Sequence, residues 1–335
     1  MAENSLATIR SSQLAPFIRH LKAHGRDPAV VLRKCWCPVN PDFEDPDLVL
    51  PAKRVWQFIE ETARVLQDQD TSWEVAMNYG LQGSRYFGYL LENQASLRHA
   101  LDLNVKLLAA HSSSAGLKLE ISGNNLQLIR GNELHKFVNF SQAEQYAAGV
   151  FVHTIRNYLG PKWQPMKISI TSTPDQPESC AIAKCCGELE TGAEQFVITV
   201  PIDRLDEERK GLPNSIKTQG LPPSEIQPGN HHALKQLLFS YLPDYPLTRK
   251  TVSEILMLHP KTLYRQLEKN GIRYSAIRNE VILERAKAEL ASGELSIGEI
   301  ARLLGYSHQS AFTRAFERLA GMPPQDFRES ARTAQ

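Results

Sequence analysis

The sequence predicts two domains of different class, an α+β domain over residues 1–205 and an all-α domain over residues 231–335. The second carries two helix-turn-helix units joined by a long helix, and a Pro/Gly-rich linker at 206–230 separates the two domains. Three observations support this division. Apolar residues recur at helical spacing through the first hundred residues and then switch to alternation, which are the periods of a half-buried helix and a half-buried strand. Between 206 and 230 the spacing dissolves among Gly211, Pro213, Gly220, Pro222, Pro223, Pro228 and Gly229, a composition that keeps a linker extended. Beyond it the pattern is helical to the end, with two similar segments about 48 residues apart.

Leu14, Phe17, Ile18 and Leu21 share one helix face, and His24-Gly25 breaks the run. Val55, Phe58, Ile59, Thr62, Ala63 and Leu66 form a second stripe, and Leu97, Leu101, Val105 and Leu108 a third, with Ser96 placed to cap it. Leu117, Leu119 and Ile121 then alternate with Lys118, Glu120 and Ser122. Gly123-Asn124-Asn125 leads on to Leu126, Leu128 and Arg130, which predicts a β-hairpin. A helix is expected over Ser141–Leu159, ended by Gly160-Pro161, then strands near 167–171 and 195–200 with a short helix near 179–186 between them.

Hydrophobic residues make up 42% and charged residues 22%, the balance of a folded globular chain. No uninterrupted apolar run is long enough to span a membrane, and the N-terminus lacks the apolar core of a secretory signal, so a cytoplasmic location is expected. The net charge of +1 conceals an asymmetry: residues 231–335 carry 15 Lys/Arg against 11 Asp/Glu, and the remainder 23 against 26. The excess directs the C-terminal domain towards a polyanion. Cys35, Cys37, Cys180, Cys185 and Cys186 fit no zinc-ligand spacing. They read as reduced, mostly buried thiols, with redox sensing or metal binding as the alternatives. No Ser/His/Asp set, phosphate-binding loop or dinucleotide motif occurs, so neither a cofactor nor catalysis is expected.

In the second repeated segment Ile300, Ala301 and Leu304 line one side of a short helix, and Gly305 stands where a helix end wants a left-handed residue. Ser307 is placed to cap the next helix, in which Phe312, Phe316 and Leu319 face inwards. The opposite face presents His308, Gln309, Ser310, Thr313, Arg314 and Glu317, side chains suited to hydrogen-bond base edges in a major groove. In the first segment Val252, Leu256, Leu263 and Leu267 are core candidates, and Lys261, Tyr264, Arg265, Glu268 and Lys269 form the exposed stripe. Tyr274–Ser292, with Ile277, Val281, Ala288 and Leu290, is a helix long enough to connect the two units rigidly.

Residues ~231–330 resemble the DNA-binding domain of the AraC/XylS family of bacterial transcription regulators. The likeness is carried by Ile300-Ala301, Leu304-Gly305-Tyr306, Ser310-Ala311-Phe312, Arg314-Ala315-Phe316, Gly321-Met322-Pro323-Pro324 and Phe327-Arg328. The first unit fits through Thr262-Leu263, Arg265 and Leu267. It departs at Ser253, where the family usually has Ala, and at His259-Pro260, where a Ser cap is usual. Residues ahead of the linker resemble the sensing domain of a subgroup that includes regulators of ornithine use and of mycobacterial virulence genes, through Leu14-Ala15-Pro16-Phe17, Gly88-Tyr89, Ser96-Leu97, Ala100-Leu101 and Phe196. The resemblance implies base or phosphate contacts from Lys261, Tyr264, Arg265 and Lys269 in the first unit and from His308, Gln309, Ser310, Thr313 and Arg314 in the second. Lys269 and Ser307 suit phosphate, which orients without specifying.

The resemblance further implies an activator that responds to a small-molecule effector through an α+β effector/dimerisation domain. Its partners would be promoter DNA, RNA polymerase and a second copy of the chain. The aromatic residues Tyr79, Tyr86, Phe87 and Tyr89 either line an effector pocket or belong to the core. Two other readings compete: a DNA-repair methyltransferase, in which a zinc-held reactive cysteine domain is fused to such a module, and an interaction protein that uses helix-turn-helix units without DNA.

Overall fold

The computed structural model describes residues 7–39, 48–80, 85–113, 115–132, 140–206, 230–242 and 244–333. In chain order the N-terminal part contains β1 (Thr8–Arg10), α1 (Ala15–Ala23), α2 (Pro28–Lys34), β2 (Val49–Pro51), α3 (Ala52–Leu66), α4 (Thr71–Tyr79), α5 (Arg85–Glu92) and α6 (Leu97–His111). It continues with β3 (Ala115–Ser122), β4 (Asn125–Asn132), α7 (Ser141–Leu159), β5 (Lys167–Ser169), α8 (Ala181–Lys184), β6 (Glu188–Glu190) and β7 (Phe196–Pro201). The C-terminal part is helical: α9 (Asn230–Tyr241), α10 (Arg249–Ile255), α11 (Pro260–Lys269), α12 (Tyr274–Ser292), α13 (Ile297–Leu303), α14 (Gln309–Ala320) and α15 (Pro324–Thr333).

The five-stranded sheet has the order β3-β4-β7-β5-β6, antiparallel except for the β5–β6 pair. Its apolar face, with Leu117, Leu126, Leu128, Ile168, Ile198 and Val200, packs on α6 and α7. The predicted hairpin forms in register, Ser122 opposite Asn125, so the loop is the two residues Gly123-Asn124. Ser96 caps α6, its Oγ accepting from His99 N at 3.4 Å, as its position implied. α7 has the predicted bounds and ends at Gly160. Helices α4 and α7 touch at Gly149, where a Cβ would come within 2.5 Å of the Ala76 methyl.

Some expectations shift. The helix near 179–186 shortens to Ala181–Lys184 and the strand near 167–171 to Lys167–Ser169. The short strands β1, β2 and β6 carried no alternation long enough to read, since three residues hold little more than one period. In α12 the inward small residue is Ala286, fully buried, and Ala288 faces outwards. Of the predicted linker, residues 207–229 lie outside the described residues.

A second apolar core is continuous from Phe17, Val55 and Phe58 through Leu234, Leu237 and Tyr241 of α9 into Val281, Ile300 and Phe312. Helix α9 therefore packs against the N-terminal part as well as against α12.

Candidate nucleic-acid interface

Each helix-turn-helix unit is built by a short helix, a left-handed turn and a second helix. In the C-terminal unit Ser296 and Glu299 close a capping box at the start of α13: Glu299 N donates to Ser296 Oγ at 3.2 Å and Ser296 N to Glu299 Oε2 at 2.8 Å. These hydrogen bonds hold the Glu299 carboxyl below its ordinary range. The helix ends in a Schellman arrangement, with Tyr306 N donating to Ala301 O and Gly305 N to Arg302 O, and Gly305 at φ +79°. Nothing lies within 4 Å of a Cβ placed on Gly305, so glycine serves the backbone there and not the packing.

The N-terminal unit uses the same turn 48 positions earlier. Leu258 N donates to Ser253 O and Met257 N to Glu254 O, but the left-handed residue is Met257 at φ +56°. The next helix starts at Pro260, its first position, where a missing N–H costs nothing. His259 caps it, Nδ1 accepting from Lys261 N at 3.3 Å.

Ile300, Ala301, Leu304, Phe312 and Phe316 are buried, as are Val252, Leu256, Leu263 and Leu267, while Leu319 is half-buried. The expected contact residues lie outwards: Lys261, Tyr264, Arg265 and Lys269 on α11, and His308, Gln309, Ser310 and Arg314 at or on α14, are exposed. Thr313 is half-buried. Ser307 is exposed, but it is not the cap of α14; His308 occupies that position and its side chain makes no capping bond.

The charges on these faces are uncommitted. Among the described residues, Lys261, Arg265, Lys269 and Arg314 have no carboxylate within ion-pair distance, whereas on α9 and α12 Lys235 pairs with Glu284 and Arg285 with Glu289, both at 2.7 Å. Exposed cations left without partners on two helix faces suit a polyanion, since no internal pair has to be broken on binding. Tyr264 is held in place by Arg249, whose Cζ lies 5.6 Å from the ring centroid. Helix α12 spans 19 residues, about 28 Å at ~1.5 Å per residue, and ties the units together.

The sequence reading missed the seam between this region and the N-terminal part. Arg54 on α3 is buried and donates from Nε to Ile255 O at 3.0 Å and from Nη2 to Glu254 O, the last carbonyls of α10. Burial lowers its pKa. A cation there meets the negative end of the helix. Around it, Ser240 Oγ donates to Val49 O at 3.1 Å, Tyr245 OH donates to Cys37 O at 3.2 Å, and Trp36 stacks on Tyr245 with centroids 5.6 Å apart. Arg54 sits among polar positions of an amphipathic helix, and nothing local distinguishes it from a solvated arginine.

Burial pushes the Cys35 thiol up to about 12 and the Cys186 thiol up to about 11, and all five cysteines are free. Among the described residues no group of three or more His, Cys, Asp or Glu is placed to hold a metal ion, and no helix is long and apolar enough to cross a membrane. Of the aromatic cluster, Phe87 faces a cavity, Tyr79 packs on the core and Tyr89 is 52% exposed. The side chain of Tyr86 lies outside the described residues.

Comparison with known proteins identifies the family. Residues 252–330 match the helix-turn-helix domain family, and residues 25–206 match the arabinose-binding domain of AraC transcription regulators, N-terminal. The chain is 33% identical over 129 residues to the HTH-type transcriptional regulator VirS of Mycobacterium tuberculosis, covering 38% of this chain and 37% of that protein. It is 31% identical over 106 residues to the ornithine utilization regulator of Pseudomonas aeruginosa, covering 32% and 31%. These matches thus span about a third of the curated relatives' length. The solved structure of transcriptional regulator CdpR from Pseudomonas aeruginosa aligns over 95% of this chain and 98% of its own, with 18% identity and a TM-score of 0.44. With the N-terminal match alone taking in more than half of the sequence and the helix-turn-helix match following it, the chain belongs to the AraC family of transcription regulators.

Proposed function

We propose that the protein is a sequence-specific, effector-responsive regulator of transcription, and an activator, which binds promoter DNA through both helix-turn-helix units. In this reading residues 231–335 form the DNA-binding domain, residues 1–205 the effector and dimerisation domain, and residues 206–230 the linker. One observation carries the proposal: two exposed helix faces with uncommitted cations, held in fixed relation by α12.

Arg265 and Arg314 read bases by a bidentate fork, Gln309 reads adenine or accepts a neighbouring donor, and Lys269 and Ser307 hold phosphates. Lys261, Tyr264, His308, Ser310 and Thr313 complete the two surfaces. The effector acts on the equilibrium between placements of the DNA-binding domain, and it shifts that equilibrium only by its difference in affinity for the two states. The Arg54 seam supplies a route, since α3 carries both Arg54, on α10, and Trp56, on the wall of an interior cavity. RNA polymerase is the partner an activator requires, and a second copy of the chain is the expected dimer partner. No catalytic step is assigned to the protein; its buried thiols lack the thiolate character that a methyl-accepting cysteine needs.

The test is a mobility-shift titration on promoter DNA at several salt concentrations. The proposal expects sequence-dependent binding whose affinity falls steeply with salt, because Lys/Arg contacts release counterions. Binding without sequence preference, or none, contradicts it.

A further inference from the structure

A cleft of about 680 Å³, its open mouth included, lies between the β3–β4 hairpin side of the sheet and helices α3, α5, α6 and α7. Its walls are mostly apolar, with Trp56, Ile59, Phe87, Leu108, Val150 and Phe151. Cavities of this kind, apolar with a few placed polar groups, are where small molecules bind. Two polar groups of the lining lack partners. Asn104 is 5% exposed and its Oδ1 has no hydrogen-bond partner; Ser112 is 2% exposed and its Oγ has none. Both residues line the cavity, and each brings a group with spare hydrogen-bonding capacity to its wall.

Charge narrows the ligand. Among the described residues, Arg130, on β4, is the only lining residue with a permanent charge, and no Asp, Glu or Lys lines the cavity. Among the described residues it makes no ion pair or hydrogen bond. The carboxylate that acts on it through space, Glu144, makes no direct contact with it and accepts instead from Thr171 Oγ1 at 2.6 Å and from Ser172 N at 2.7 Å. Part of the Arg130 side chain remains accessible, as befits a cavity wall, yet burial lowers its pKa. His111 stacks on Phe87 with centroids 4.8 Å apart, and its Nε2 lies 2.9 Å from Gln13 Oε1. Burial, with Arg10 and Arg130 nearby, pushes its pKa down to about 4, so it is neutral and contributes no second cation at neutral pH.

A half-desolvated guanidinium with no carboxylate in direct contact among the described residues gains when an anion reaches it. Its planar fork matches a carboxylate. A ligand ammonium, by contrast, would find no acidic partner among the described lining residues. We propose that this cavity is the effector site and that it takes a small organic carboxylate with an apolar, ring-sized body, the carboxylate on Arg130 and the body against Trp56, Phe87 and Tyr146. Asn104 and Ser112 take a polar substituent. This inference rests on the reading of the protein as effector-responsive.

The test uses the full-length protein with benzoate, phenylacetate, 4-hydroxyphenylacetate, 3-phenylpropionate and octanoate, beside phenylacetamide and phenethylamine. Tryptophan fluorescence and thermal unfolding report binding. At least one acid is expected to bind saturably and raise the melting temperature, with the amide about tenfold weaker or worse and phenethylamine without effect. Arg130→Met is expected to bring the acid down to the level of the amide, and Arg130→Lys to recover part of the difference. If Arg130→Met does not fold, the wild-type comparison of acid with amide decides, together with Ser112→Ala, which should weaken 4-hydroxyphenylacetate relative to phenylacetate. Equal binding of acid and amide, no binding by any of the acids, or acid binding that survives Arg130→Met overturns the inference. A mobility shift on promoter DNA with the same preparations separates the two claims. Specific DNA binding with no carboxylate response rejects the ligand class alone, and loss of specific DNA binding in the wild type rejects the regulator reading.

Discussion

Replacing Arg54 by methionine keeps an unbranched apolar stem on α3 and removes the guanidinium that holds the end of α10. Two N–H···O=C bonds are lost, to Ile255 O and Glu254 O, and a third to Gln57 Oε1 at 2.8 Å. Hydrogen bonds from a charged donor contribute roughly 1.5–3 kcal/mol each, and a buried carbonyl left without a donor costs roughly 1–3 kcal/mol. Against this stands the desolvation of the arginine, visible in its lowered pKa, which methionine does not incur. Glu254 O also accepts from Met257 N, so only Ile255 O is stranded completely. The net expectation is a seam weakened by about 2–3 kcal/mol, or a 30- to 150-fold rise in its open population at ~1.4 kcal/mol per factor of ten. The seam should loosen without wholesale unfolding, because the Ser240, Tyr245 and Trp36 contacts remain. Amide hydrogen exchange measures the effect: protection of the α9 and α10 amides should fall by that factor, with those of the β3–β4 hairpin unchanged. Protection within twofold of wild type at α10 would show that Arg54 does not hold the seam.

Four other outcomes are expected. Met257→Gly should raise stability by about 0.5–1 kcal/mol in urea unfolding, since the left-handed backbone at φ +56° suits glycine, and Gly305→Ala should lower it by about 1 kcal/mol; a reversed sign at either position contradicts the shared turn geometry. Arg314→Ala should cost about 1–3 kcal/mol of specific DNA binding and relax preference at one base pair. Lys269→Ala should weaken all sequences alike and reduce the salt slope by about one, so identical sequence profiles for the two variants would contradict their separate roles. His111 takes up a proton at about pH 4 when folded and near 6.5 when unfolded, so the unfolded chain binds more protons between those values and stability falls as pH drops through that window. Glu60, pushed up to about 7 by burial, has the opposite slope, with stability falling as pH rises towards 7. The wild-type minus His111→Gln difference isolates the histidine, and a pH-independent difference refutes its depressed pKa.

The helix-turn-helix region was legible because its signals are local and dense. Gly305, the Phe312/Phe316 stripe and the bounds of α12 follow from periodicity and cap chemistry within a few residues of each other. The hairpin at Gly123-Asn124 and helix α7 were legible for the same reason. What escaped depends on pairs distant in sequence. Arg54 meets Ile255 across 201 residues, and His111 meets Gln13 across 98. Arg130 reads as one more polar residue on an alternating strand, and its isolation becomes visible only when α6 and α7 close over it. The misplaced cap at Ser307 has a simpler origin, since Ser307 and His308 are adjacent and a serine is the better cap in general.

The central claim is that a single chain reads two successive major grooves with α11 and α14. Successive grooves on one face lie ~34 Å apart, and α12, about 28 Å long, can set that separation together with its flanking turns, so that any shortfall would bend the duplex towards the protein at a cost set by its sequence. A hydroxyl-radical footprint of the monomeric C-terminal region on promoter DNA tests this most directly, read beside a variant with one glycine-containing turn inserted into α12. Two protected blocks about 10 base pairs apart are expected for the wild type, with specific protection lost and non-specific binding kept in the insertion variant. A single protected block, or an unchanged footprint from the insertion variant, would show that only one unit reads DNA.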